Sequence, residues 1–147
     1  MSFFEDITIA PESDLPIPAR LYKPPGEGPF PALVILHGSG GLWRNKKRNT
    51  RLTKNLEEWV NILVKMGIVV LLPDSFSPRG LIDFKNRRPA YDPNLDDSLC
   101  SPTHKRPEDA FKALSYLRKQ PYIMSDYIGA LGFSHVRRKI ASEILQI

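Results

Sequence analysis

Three apolar runs, separated by amphipathic stretches, constrain this 147-residue sequence most. They are residues 30–36 (Phe-Pro-Ala-Leu-Val-Ile-Leu), 68–72 (Ile-Val-Val-Leu-Leu) and 127–131 (Tyr-Ile-Gly-Ala-Leu). A short, continuous apolar run is what a strand looks like when both its faces are covered. Between the first two runs, Leu52, Leu56, Trp59, Val60, Leu63 and Met66 recur at helical spacing, and Gly67 stands where a helix C-cap belongs. Between the second and third, Pro107-Glu108-Asp109 opens a helix, with proline in its first turn and acids at the positive end of its dipole. Ala110, Phe111, Leu114 and Leu117 form that helix's apolar face, and a last helix is expected to carry Val136, Ile140, Ala141 and Ile144 on one side. Two short strands, residues 7–10 and 19–23, precede all of this and are joined by a proline-rich turn. Strand–helix alternation predicts an α/β fold: a mostly parallel sheet with right-handed crossovers and helices on both faces, hence three layers. No internal repeat or low-complexity linker divides the chain, so residues 1–147 are expected to form a single domain.

The composition narrows the functional classes. With 41% hydrophobic and 25% charged residues the chain reads as a soluble globular protein, and no apolar tract reaches the roughly eighteen residues of a membrane span. Met1-Ser2-Phe3-Phe4-Glu5-Asp6 lacks the basic start and long apolar core of a signal peptide, which gives a cytoplasmic expectation. Cys100, the single cysteine, rules out an internal disulfide. The net charge of +5 comes largely from residues 44–51 and from Arg137-Arg138-Lys139. These clusters read as a solvated loop and a solvated helix face, and no neighbouring aromatics offer nucleic-acid bases a stacking platform. Neither a nucleic-acid nor a membrane partner is expected.

In parallel sheets ligands bind at the carboxyl ends of the strands. Three chemical signals fall there: His37-Gly38-Ser39-Gly40-Gly41, then Asp74 to Arg79, then Gly132-Phe133-Ser134-His135. Strand, Gly-x-Ser, helix is the sharp turn that exposes a serine nucleophile in α/β-hydrolases; the plainer reading of Ser134 is a helix cap. Serine is a weak nucleophile near neutral pH and needs a base. The amides of Ser39, Gly40 and Gly41, with that of His135, could hold a developing oxyanion; alternatively the glycines only let the chain turn. His37 suits fixing that loop better than acting as a base. Arg79 could grip a substrate carboxylate bidentately or form a loop-fixing ion pair. Residues 75–106 are long, polar and proline-rich, the mark of a functional or disordered loop.

The order and spacing of several segments make the chain resemble the dienelactone hydrolase family of the α/β-hydrolase superfamily. They are His37-Gly38-Ser39-Gly40-Gly41, Pro73-Asp74-Ser75-Phe76-Ser77-Pro78-Arg79-Gly80, Glu108-Asp109-Ala110 with Ala113-Leu114 and Tyr116-Leu117, and Ile128-Gly129-Ala130-Leu131-Gly132-Phe133-Ser134-His135. The resemblance covers nearly everything up to His135. It implies hydrolysis of a small ester or lactone through an acyl-enzyme on Ser134, without cofactor or metal.

After the nucleophile the sequence departs from that family. Two small residues usually follow Ser-His; here Val136-Arg137-Arg138-Lys139 follow, and a β-branched side chain suits a crowded turn poorly. The family's triad continues with an acid and then a histidine. Among the 13 residues after Ser134 there is no aspartate, one acid, Glu143, and one histidine, His135, adjacent to the serine. Asp74 is expected two strands from the serine strand, roughly 9–10 Å away, too far for a direct hydrogen bond. His104 and Cys100, on the long loop, have nothing to orient them. The expectation is therefore an incomplete, truncated or frame-shifted α/β-hydrolase sheet with impaired activity. The alternative is a non-catalytic fragment or interaction module. Residues 127–131 then form an exposed edge, and self-association through that strand is expected.

Overall fold

The computed structural model describes residues 3–38, 40–44, 50–80 and 105–133. Their elements are β1 (Phe4–Ile9), β2 (Ile17–Tyr22), β3 (Phe30–Leu36), α1 (Lys54–Lys65), β4 (Val69–Pro73), a 3₁₀ turn (Ser77–Arg79), α2 (Lys105–Arg118) and β5 (Ile123–Gly132). The last helix expected from Val136, Ile140, Ala141 and Ile144 lies outside the described residues, as does most of the long loop.

The sheet runs β1-β2-β4-β3-β5. β4, β3 and β5 are parallel, as the alternation of runs and helices requires, whereas β1 pairs antiparallel with β2 and β2 with β4. The sheet is therefore mixed, because the two N-terminal strands join as a hairpin rather than through a helix. Side chains alternate between the two faces along each strand. Ala32, Val34 and Leu36 of β3, with Val69 and Leu71 of β4, meet Ala110, Ala113, Leu114 and Leu117 of α2. Ile35 of β3, with Val70 and Leu72 of β4, meets Leu56, Val60, Leu63 and Val64 of α1 on the other face. One helix on each face gives the three layers. Each of the valines, leucines and isoleucines among them contributes about 1.5–3 kcal/mol by leaving water, which is why β3 and β4 read as unbroken apolar runs.

Two local features follow from chemistry. Gly67, at φ +81°, ends α1: its N–H donates to the Val64 carbonyl at 3.0 Å, and the Ile68 N–H donates to that of Leu63 at 3.0 Å. This paired closure needs the left-handed conformation that glycine adopts without strain. Pro31, which has no N–H to donate, sits where the β3–β5 register slips, between the pairs Phe30↔Ile123 and Ala32↔Ile128.

Some expected apolar faces are narrower than the spacing implied. Trp59 is 38% and Met66 66% exposed, so they flank the buried stripe of α1 rather than belong to it. Phe111 is likewise exposed on α2. β5 begins at Ile123, and Tyr127, read as buried, is exposed; the continuous pairing with β3 runs over residues 128–132.

Candidate active site

Parallel pairing brings the carboxyl ends of β3, β4 and β5 to one rim. Leu36 lies opposite Gly132, and the Phe133 N–H donates to the Leu36 carbonyl at 3.2 Å. The chain thus leaves β5 beside the start of the glycine-rich turn. Ser134 and His135 follow directly and lie, with Ser39, Cys100 and His104, outside the described residues.

The turn after β3 is internally tied. Gly41, at φ +80°, donates its N–H to the Gly38 carbonyl at 3.1 Å. That amide closes the turn, and the positive φ is one that glycine adopts without strain. His37 is fully buried. Its Nε2 accepts the Ser75 N–H at 3.2 Å, and its Nδ1 lies 2.8 Å from the Gly38 carbonyl. A backbone amide can only donate, so Nε2 is unprotonated and Nδ1 carries the proton, donating to Gly38. The imidazole therefore joins the ends of β3 and β4, the loop-fixing role its position suggested.

β4 ends in Asp74, 2% exposed. Its Oδ1 accepts the N–H groups of Phe76 at 3.1 Å and Ser77 at 3.0 Å, and its Oδ2 accepts the Trp43 indole N–H at 2.7 Å. The carboxylate caps the 3₁₀ turn and ties Trp43 to the end of β4. β3 separates β4 from β5, so Asp74 stands two strands from the end of β5, as expected for a structural acid.

Arg79 closes the same rim. Its Nη1 and Nη2 donate to Asp109 Oδ2 at 2.7 Å and Oδ1 at 3.0 Å, and Nη1 also donates to the Ser75 carbonyl at 2.7 Å. The fork that a substrate carboxylate would need is engaged by a buried aspartate, and the geometry displays the loop-fixing alternative. Arg106, fully buried at the start of α2, donates from Nη2 to the His37 carbonyl at 2.6 Å and stands over the Phe76 ring at 5.6 Å. Sequence reading did not single out Arg106. It falls at the end of the stretch the sequence marks as a polar loop, where a charge reads as solvated, and its partner lies 69 positions away. Among the described residues, no three His, Cys, Asp or Glu side chains gather as a metal-ligand set, and no helix is long and apolar enough to cross a membrane.

A three-layer sheet whose strand ends gather a glycine-rich turn, and whose β5 runs into Gly-x-Ser, is an α/β-hydrolase architecture. The chain matches the dienelactone hydrolase family over residues 17–135, and it belongs to that family. Among solved structures it is similar to a candidate dienelactone hydrolase from Klebsiella pneumoniae, at 16% identity and TM-score 0.62, over 90% of this chain and 50% of that one. A candidate acetyl xylan esterase from Bacteroides fragilis matches at 21% identity and TM-score 0.64, over 90% and 39%. A dienelactone hydrolase from Anabaena variabilis matches at 16% identity and TM-score 0.54, over 89% and 51%. At these identities the likeness is one of fold. The chain spans about half the length, or less, of these proteins. No curated protein matches the sequence.

Proposed function

We propose that this chain carries the nucleophile-bearing part of a serine hydrolase site that acts on an ester or lactone through an acyl-enzyme. The observation that supports it best is the Phe133–Leu36 hydrogen bond, 3.2 Å long, which sets the strand leading to Ser134 beside the glycine-rich turn. In this reading the Ser134 Oγ attacks the carbonyl carbon, and the amides of Ser39, Gly40 and His135 receive the oxyanion. The bond to the leaving alkoxide then breaks. Arg79 serves the site by holding the rim rather than by meeting substrate. The serine proton must pass to a base, and the alkoxide must regain one. The 13 residues after Ser134 supply no aspartate, and their histidine is the serine's own neighbour. The chain as it stands should therefore react with an activated electrophile but not turn over.

A fluorophosphonate probe, with the adduct located by mass spectrometry, tests this. Slow labelling of Ser134, absent in Ser134→Ala and unaccompanied by steady ester hydrolysis, is expected. A serine without its base keeps only the residual effect of the oxyanion hole and binding. A folded chain that does not label, or labelling that survives Ser134→Ala, would sink the reading. One observation favours a second, non-catalytic reading as an interaction module: among the described residues β5 pairs with β3 alone, leaving its other edge open.

A further inference from the structure

The buried polar groups at the rim form a closed ring. From α2, Arg106 donates to the His37 carbonyl at 2.6 Å. His37 accepts the Ser75 N–H through Nε2 at 3.2 Å. The Ser75 carbonyl accepts Arg79 Nη1 at 2.7 Å, and Arg79 grips Asp109, again on α2, through two bonds of 2.7 and 3.0 Å. Arg106 and Asp109 are three residues apart, hence on one face of the helix. His37, Ser75, Arg106 and Asp109 are all fully buried, and the Arg79 side chain is 5% exposed. The Phe76 ring lies against both the His37 ring, at 4.6 Å, and the Arg106 guanidinium.

Burying two guanidiniums is costly, and an apolar residue at either position would usually serve stability as well. What an apolar residue cannot do is grip a carbonyl at a fixed place. The ring ends on the backbone of His37, the residue that opens the glycine-rich turn, and the His37 ring passes the constraint on to the Gly38 carbonyl, 2.8 Å from Nδ1. That same carbonyl accepts the Gly41 N–H. The turn is thus tied at its first residue to α2 and at its last to its own second residue.

We infer that Arg106 is a positioning residue which, with Asp109 closing the ring through Arg79, holds the backbone of the turn after β3 in place at the rim. The purpose of that hold rests on the proposed hydrolase reading; the hold itself does not. Preorganised donors lose much of their effect when displaced by even about 1 Å.

Hydrogen exchange on the whole chain, read by mass spectrometry, tests the hold in Arg106→Met and Arg106→Lys. Methionine keeps much of the packing volume but donates nothing; lysine keeps one donor group. In Arg106→Met the peptide over residues 38–43 should exchange at least about tenfold faster than in the parent chain, while peptides from β3, β4 and the rest of α2 keep their protection. Arg106→Lys should fall between the two. Probe labelling of Ser134 should slow in the same order, by about tenfold or more for methionine. Unchanged exchange in the turn would overturn the inference, and so would a uniform rise across the sheet, which marks a residue that only stabilises. If Arg106→Met does not fold, Arg106→Lys against the parent chain decides by the same criterion. A parent chain that never labels counts against the hydrolase reading, and the exchange pattern still decides the hold.

Discussion

Asp74 shows how much one buried carboxylate can organise. It satisfies two backbone amides and an indole N–H with three bonds of 2.7–3.1 Å. Asp74→Ala strips all three donors of their acceptor inside the protein. Leaving buried donors unpaired costs about 1–3 kcal/mol each where water cannot reach them, so a loss of roughly 3 kcal/mol or more is expected. Urea denaturation checks it, and Asp74→Asn, which keeps one acceptor oxygen, should lose clearly less. Gly67 poses a purely conformational case. An added Cβ would meet nothing within 4 Å, yet φ is +81°. Gly67→Ala should therefore cost about 1–2 kcal/mol from backbone strain alone, read as a lower urea midpoint with an unchanged slope. Gly67 was legible in the sequence because it ends a helical pattern. Asp74 was legible only as an acid at a strand end, since Trp43 lies 31 positions away.

At the scale of elements, legibility followed burial. β3 spans the residues its apolar run marks, and β4 is displaced by one residue, because both are covered by α1 on one face and α2 on the other. β5 starts four residues before its apolar run, at Ile123: Met124, Ser125 and Asp126 are exposed and carry no continuous apolar signal. The antiparallel β2–β4 pairing was hidden, since strand direction leaves no mark on a buried apolar sequence. α2 begins at Lys105, ahead of the proline taken as its opening, and its Arg106 and Asp109 are buried where charge normally signals solvent. The Arg79–Asp109 pair locks the 3₁₀ turn to α2. Asp109→Ala removes the carboxylate that neutralises a buried guanidinium and should cost about 3–5 kcal/mol, whereas the double change Arg79→Met with Asp109→Ala should cost clearly less. A double-mutant cycle by urea unfolding measures the difference, and equal losses would mean the pair does not act as a unit.

For the molecule as a whole, we propose that the outer edge of β5 governs its association in solution. Among the described residues that edge has no partner strand, and residues 123–132 carry one charge, Asp126, with no lysine or proline to blunt pairing. Beside it, Trp59, Ile62 and Met66 recur at helical spacing along one flank of α1, with exposures of 38, 54 and 66%. The Trp59 ring reaches that of Phe133, centroids 6.3 Å apart, so this flank lies toward the end of β5. An open strand offers N–H and C=O groups in a row, and two copies of one strand can satisfy each other when they run antiparallel about a two-fold axis. A second copy of the chain is therefore the expected partner, joining sheet to sheet and covering part of the apolar flank. The net charge of +5 opposes association, but screening at physiological salt weakens that repulsion beyond about 8 Å. Sedimentation velocity should show a dimer or larger species at micromolar concentration. Tyr127→Lys, which sets a charge at an exposed position of the edge strand, should shift the chain toward monomer. A monomeric parent chain that unfolds cooperatively would overturn the expectation.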